Sequence, residues 1–394
     1  MDNSRPLPSF DNTEAAFASK SNSQLKHSYR IFKLLSYSHL SDLGSRATQL
    51  ALDLGLPIEP LVRATVFKQF VGGESLHSIE GTIKNLAKSN IKTILDYGVE
   101  AKSTEADFVK TTEYKLHSLD VLSSNANVPF ISLKITAIAR FALLERIHAG
   151  KELNQHEQEE YEKVRARMHH LCQKAHETGK SILFDAEESW IQRPLDDLIN
   201  EMMLNYNTER AVAFNTYQLY RNDRREHLMQ HTEMAKAGKY ILGAKLVRGA
   251  YMEKERERAA QLHYPSPIHV NKEAVDKDYQ VALDFCLNHL DSIVLCIGTH
   301  NEASCLYACK RMNEMELAND HPNIFFSQLY GMGEHITYNL AKEGYNATKW
   351  VTYGPVKEVM PYLIRRAQEN TSVSGQVGRE LSLLGKEMKR RRLL

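Results

Sequence analysis

A chain of 394 residues, 42% apolar and 25% charged, has the make-up of a globular protein with a large core and room for an accessory region. A net charge of +1 gives no support to a nucleic-acid partner. The longest apolar runs, such as 292–297, are too short to cross a bilayer. Residues 1–20 carry Asp2, Asp11 and Glu14 and lack an apolar core, so neither a secretory signal nor a mitochondrial transit peptide is expected, and the cytoplasm is the expected compartment.

In chain order, residues 1–25 are polar and read as a flexible or loosely docked tail. Residues 26–90 show mostly helical spacing, with a break at Gly72-Gly73. From 91 onward the rhythm changes. Short apolar, β-branched runs are expected as strands at 92–97, 130–135, 181–185, 211–217, 240–247, 292–298, 323–329 and 348–353, each separated by enough chain for a helix and a loop. Eight β-then-α units in series are the pattern of a closed parallel (βα)8 barrel spanning 91–394. The alternative, an open doubly wound sheet, requires a phosphate-binding glycine turn after an early strand. The nearest match, Gly331-Met332-Gly333, comes late and lacks the third glycine.

Residues 149–179 are rich in Glu, Gln, His and Lys and read as an inserted, long exposed helix. The stretch 154–160 has no alternating Asp/Asn ligands around a glycine, so no calcium loop is expected. The end of the chain, Lys389 to Arg392, is a small basic cluster, either a solvated end or a contact for anionic lipid. The five cysteines form no CxxC pair and are expected as reduced, structural thiols, with no metal site.

In a parallel barrel the chemistry gathers at the C-terminal strand ends. Lys134 and Asp185 end the second and third predicted strands, and Asn215, Tyr217 and Gln218 the fourth. The fifth contributes Lys245, Arg248 and Tyr251, the sixth ends in Thr299, His300 and Asn301, the seventh in Gln328 with Tyr330, and the eighth in Tyr353. Polar groups in apolar strands are costly unless satisfied, so their placement at one end implies a polar ligand cradle. Its cations Lys134, Lys245, Arg248, Arg365 and Arg366 outnumber Asp185 and Glu369, which calls for an anionic ligand. Arg365 and Arg366 are adjacent on a predicted helix and point about 100° apart, so they are not expected to serve one anion in the same way. His300 has no second ligand at metal spacing beside it.

Several ordered motifs carry a resemblance: Phe70 to Glu74, Phe184-Asp185-Ala186-Glu187, Lys245 to Tyr251, Thr299-His300-Asn301, Tyr353-Gly354-Pro355, and Tyr362 to Asn370. Over residues 65–394 the chain resembles the proline dehydrogenases, and the single-function members most, because no aldehyde-dehydrogenase domain follows. The resemblance implies a distorted (βα)8 barrel, an N-terminal helical region, and a C-terminal helix lying over the barrel mouth. It implies FAD as cofactor and oxidation of L-proline to Δ1-pyrroline-5-carboxylate, with hydride passing from proline C5 to flavin N5.

On the same basis, Asp185 and Lys245 are the expected catalytic pair, Lys245 standing where the family often has arginine. Lys134, Arg365 and Arg366 are expected to hold the proline carboxylate, and Tyr251, Tyr353 and Tyr362 to wall its ring. Ala186, Gln218, Val247, Arg248, Gly249, Thr299, His300, Asn301, Gln328 and Glu369 fall where the family contacts FAD. A membrane quinone, met peripherally at an inner membrane, is the implied electron acceptor, and a pyrroline-5-carboxylate dehydrogenase a further partner. The rival readings are a hydroxyproline dehydrogenase, which the bulk of Tyr353 disfavours, and a barrel that has lost catalysis and serves as a binding module.

Overall fold

The computed structural model describes residues 5–37, 58–98, 103–372 and 376–394, with the side chains of 367–372 and 376 outside the description. The strands are β1 (Lys92–Tyr97), β2 (Phe130–Leu133), β3 (Ser181–Phe184), β4 (Ala213–Gln218), β5 (Leu242–Val247), β6 (Ile293–Gly298), β7 (Ile324–Leu329) and β8 (Ala347–Tyr353). They close into a parallel barrel in sequence order. All eight expected strands form, with ends shifted by a residue or two. At β2 the strand ends at Leu133, and Ile135 enters a turn of 3-10 helix, Ile135–Ala137.

The helices are α1 (Asn22–Leu35), α2 (Leu76–Ala87), α3 (Glu105–Val121), α4 (Phe141–His148), α5 (Gln155–Glu177), α6 (Ser189–Tyr206), α7 (Arg224–Gly238), α8 (Met252–Leu262), α9 (Lys272–Leu287), α10 (Glu302–Glu314), α11 (Glu334–Lys342), α12 (Val356–Ser372) and α13 (Gln376–Arg390). Several starts are written in the sequence. Ser21 with Gln24, and Asn154 with Glu157, form reciprocal capping boxes that satisfy the free N–H groups of α1 and α5.

The chain divides into two compact units. The first comprises Ala101–Phe326 with Met1–Arg5, and the second joins Pro6–Glu100 to Ser327–Leu394.

In the first unit β2, β3 and β4 are buried at every position, so they read as continuous apolar runs rather than alternating ones. Phe130 of β2 meets Phe214 of β4 and Phe325 of β7 edge-to-face, with ring centroids 5.6 and 5.0 Å apart. These strands are not neighbours, so the rings meet across the lumen and close it near the N-terminal strand ends. Gly243 of β5 lets β4 come close, since a Cβ there would stand 2.4 Å from the Ala213 carbonyl oxygen.

One expectation changes here and another holds. The segment 149–179 is no insert: α5 is the helix before β3, and it buries Val164, Met168, Leu171, Cys172 and Ala175. Most of its charged residues lie on the solvent face, Arg167 being buried, because one apolar stripe is enough to dock a helix. All five cysteines are free and buried, and burial pushes the thiols of Cys172, Cys286, Cys296 and Cys305 upward, which keeps them unreactive.

In the second unit β1 and β8 pair in register, Lys92 with Thr348 through Tyr97 with Tyr353. The described part of residues 1–25 is no loose tail. Thr13–Ala16 form a helical turn, and Phe17 and Leu25 are buried with Phe32, Phe70, Val359, Leu383 and Leu384 in one core. Nor is the basic C-terminal cluster a solvated end throughout. Arg391 donates to the carbonyls of Lys20 (2.7 Å) and Phe17 (2.8 Å), and Arg390 and Arg391 both bind the buried Glu387. Apolar residues spaced through a polar stretch supply this anchoring, and average composition hides it. Among the described residues no helix is long and apolar enough to cross a membrane.

Candidate active site

In the first unit the expected residues stand at the C-terminal ends of β2 to β6. Strand residues alternate between the two faces. Phe214 points into the lumen, so Thr216 and Gln218 share its face, whereas Asn215 and Tyr217 point out. Asn215 Nδ2 donates to Asp196 Oδ1 on α6 at 2.8 Å, and the Tyr217 hydroxyl lies 3.0 Å from His231 Nδ1 on α7. Both were expected at the ligand cradle from sequence; both belong to the helical layer instead.

Asp185 follows β3 and Lys245 lies on β5. Lys245 Nζ donates to Asp185 Oδ1 at 2.6 Å, with Lys245 only 5% exposed. Lys134 follows β2 directly and is half-buried. Its ammonium acts on two nearby groups, Glu187 and Tyr251. Burial pushes the Glu187 carboxyl up to about 7, against the pull of Lys134 and of the Thr136 donors. Burial likewise raises the Tyr251 phenol, which keeps it protonated.

Tyr251 precedes α8, and that helix is fastened to the start of α6. Glu255, fully buried, accepts from the Ser189 N–H at 2.7 Å and the Ser189 hydroxyl at 2.6 Å. Lys254 pairs with Glu188 at 3.0 Å. Glu187 closes a motif singled out from sequence, yet Glu187, Glu255 and Thr136 carried no expected role. The only signal for them was a carboxylate or hydroxyl a few residues from a strand end.

Ala186 is buried beside Asp185. Gln218 ends β4, and its Nε2 donates to the Glu187 carbonyl at 2.8 Å. Val247 ends β5, its carbonyl accepting from the Leu219 N–H at 2.8 Å. Arg248 Nε donates to Asp276 at 2.8 Å, Nη1 to Thr299 Oγ1 at 2.8 Å, and Nη2 to Ser304 Oγ at 3.0 Å. Its guanidinium also stacks 4.5 Å from the Tyr279 ring centroid. Asp276 is thus a counter-ion that sequence reasoning missed, because it stands on α9, far along the chain.

Gly249 is exposed with φ +141, and a Cβ there would fall 2.3 Å from the Tyr220 ring. Only glycine suits that position. Asn301 caps α10, its Oδ1 accepting from the Ser304 N–H at 3.0 Å, and His300 beside it is half-buried. A cation, hydroxyls, an amide and an open glycine backbone, gathered on the ends of β5 and β6, fit a dinucleotide with its pyrophosphate.

In the second unit Tyr353 ends β8, 1% exposed, its ring 5.3 Å from that of Tyr97 and tilted by 45°. Gln328 is buried on β7, its Oε1 accepting from Thr337 Oγ1 of α11 at 2.8 Å. On α12, Tyr362 is buried, and the Arg366 guanidinium lies 5.3 Å over its ring, one turn back along the helix. Arg365 is half-buried one position earlier. The side chain of Glu369 lies outside the described residues.

The family profile described as proline dehydrogenase matches residues 79–379, most of the chain. The chain belongs to the proline dehydrogenase family. The proline dehydrogenase 1, mitochondrial, of Dictyostelium discoideum is 33% identical over 426 residues, covering 96% of this chain and 74% of that protein. The hydroxyproline dehydrogenase of Xenopus laevis is 32% identical, covering 84% of this chain and 78% of that protein.

Among solved structures, proline utilization A from Bdellovibrio bacteriovorus superposes with a TM-score of 0.71 at 20% identity, over 93% of this chain. The chain spans 37% of that protein's length, and the likeness concerns the fold. The proline dehydrogenase barrel is thus present, and in it Lys245 sets a positive charge against Asp185 as a point charge rather than a planar fork.

Proposed function

We propose that this chain oxidises L-proline to Δ1-pyrroline-5-carboxylate with bound FAD, and that a quinone takes up the electrons. The observation carrying this reading is the family match across 79–379, joined to Lys134, Asp185 and Lys245 standing at the ends of β2, β3 and β5.

Ala186, Gln218, Val247, Arg248, Gly249, Thr299, His300 and Asn301 in the first unit, with Gln328 and Glu369 in the second, would hold the FAD. Bound FAD would supply the two-electron acceptor. Proline would lose its C5–H bond with the electron pair to that acceptor and the neutral amine's N–H proton to solvent, which leaves the C5=N bond of the product. The chain's own residues position rather than transfer protons. Lys134, Arg365 and Arg366 hold the carboxylate, and Tyr251, Tyr353 and Tyr362 wall the ring, so that C5 is presented in one orientation. Lys245 keeps a positive charge beside Asp185 at the strand ends. A pyrroline-5-carboxylate dehydrogenase is the proposed consumer of the product.

The test is anaerobic titration of the FAD-loaded protein with L-proline, followed by reoxidation with a soluble quinone. Bleaching of the flavin and its recovery are expected; a flavin indifferent to proline sinks the assignment. Arg365→Ala is expected to raise KM for proline at least ~10-fold with flavin retained, and an unchanged KM would refute the carboxylate clamp.

The likeness to the Xenopus hydroxyproline dehydrogenase favours a second reading, oxidation of 4-hydroxyproline. Tyr353 argues against it, since its buried ring is held by Tyr97 and should crowd a 4-hydroxyl. Turnover of proline against trans-4-hydroxyproline decides between them, and a preference for the hydroxylated substrate would overturn our reading.

A further inference from the structure

Glu187 is a buried, hydrogen-bonded carboxylate near the strand ends, and the reaction gives it no role. It is 4% exposed. Its Oε1 accepts from the Thr136 N–H at 3.1 Å and its Oε2 from the Thr136 hydroxyl at 2.5 Å. Its own N–H donates to Gln192 Oε1 at 2.9 Å, and its carbonyl accepts from Gln218 Nε2 at 2.8 Å. One residue thereby ties together the turn after β2, the start of α6 and the end of β4.

Position makes this arrangement informative. The β2–β3 ladder ends at Leu133 and Phe184, with one further bond from the Asp185 N–H to the Leu133 carbonyl at 2.9 Å. Beyond it, Lys134 lies two residues before Thr136, and Asp185 two before Glu187. The single 3-10 turn Ile135–Ala137 has little hydrogen bonding of its own. The pair of bonds from Thr136 to a buried carboxylate is what holds it. Two bonds to a side chain whose own backbone N–H and carbonyl are both held make a stiff anchor, and Lys134 leaves the backbone immediately before it.

We propose that Glu187 is the positioning residue for Lys134: by anchoring the turn through Thr136, it sets where the Lys134 ammonium stands and how tightly the site holds a substrate carboxylate. This rests on the reading of Lys134 as part of the carboxylate clamp. Glu187 touches no reacting atom, so its substitution affects binding of the carboxylate rather than the chemical step.

Glu187→Ala removes both acceptors of the anchor and Thr136→Val removes its hydroxyl donor, while Thr136→Ser keeps the hydroxyl. On the FAD-loaded protein, the steady-state constants for L-proline are measured together with flavin content. Calorimetry gives the Kd of cyclopentanecarboxylate, a ring acid with no amine to oxidise. Both disruptive variants are expected to raise KM and that Kd about 10-fold, with kcat within about 2-fold and flavin content unchanged. Thr136→Ser should stay near wild type.

A Kd equal to wild type in Thr136→Val, or a loss of kcat with Kd unchanged, overturns the proposal. If Glu187→Ala does not fold, the contrast between Thr136→Val and Thr136→Ser decides alone. A wild-type protein that neither oxidises proline nor binds the ring acid would instead overturn the underlying reading.

Discussion

Lys245 and Asp185 are joined at 2.6 Å although their strands, β5 and β3, are not neighbours: β4 lies between them. The contact therefore crosses the strand ends inside the barrel, and each charge is satisfied by a partner sixty positions away in sequence. Removing one partner of a buried pair leaves the other uncompensated. Asp185→Ala is expected to cost about 2–3 kcal/mol of stability, less than the full buried-pair figure because the aspartate retains some exposure. Lys245→Arg, which keeps the charge, should cost under about 1 kcal/mol. Urea denaturation of both variants measures this, and equal stabilities would show that the pair is not the organising contact.

Gly249 offers a sharper steric test. Its φ is +141, and the Tyr220 ring would stand 2.3 Å from any Cβ added there, which leaves no room for alanine. Gly249→Ala should lose about 2–3 kcal/mol and lower the flavin content of purified protein. Normal flavin content together with an unchanged melting temperature would show that the loop yields freely.

The fastening of α8 to α6 through Glu255 makes a graded prediction. Glu255→Ala removes both acceptors of Ser189 and should destabilise by about 2–3 kcal/mol, whereas Ser189→Ala removes one bond and should cost about 1 kcal/mol. Because α8 carries Tyr251 just before its first turn, Glu255→Ala is also expected to raise KM for proline. A loss no larger than that of Ser189→Ala would count against the fastening.

Acid sensitivity should arise on the outer side of β4. Burial drives the His231 pKa down to about 3, with the charges of His227 and Arg224 adding to the effect and Asp196 opposing it. Its folded pKa is below its unfolded value near 6.5, so the unfolded state binds the extra proton between those values. Its contribution is therefore full above about 6.5 and is lost as pH falls toward 3. Asp196 is held well below the usual carboxylate range, because Arg224 and His227 outweigh its burial, and its contribution also disappears on acidification. His231→Gln is expected to flatten the stability profile between about pH 6.5 and 4. A slope identical to wild type would place the acid-sensitive group elsewhere.

The sequence alone determined the eight strands, their order, and the family, because strand patterns are local and the family motifs are contiguous. It placed Lys134, Asp185, Gln218, Lys245 and Arg248 at strand ends, where the structure has them. It misplaced Asn215 and Tyr217, because which face a strand residue takes depends on pleat parity against the rest of the barrel. It could not show that the N-terminal helices share a core with α12 and α13, since Phe17 and Leu384 meet only when the chain has folded back on itself. Nor could it assign partners to Glu187, Asp276 or Glu255, each ordinary in isolation. What a buried carboxylate does is decided by the donors that surround it, and distant segments bring those donors to it.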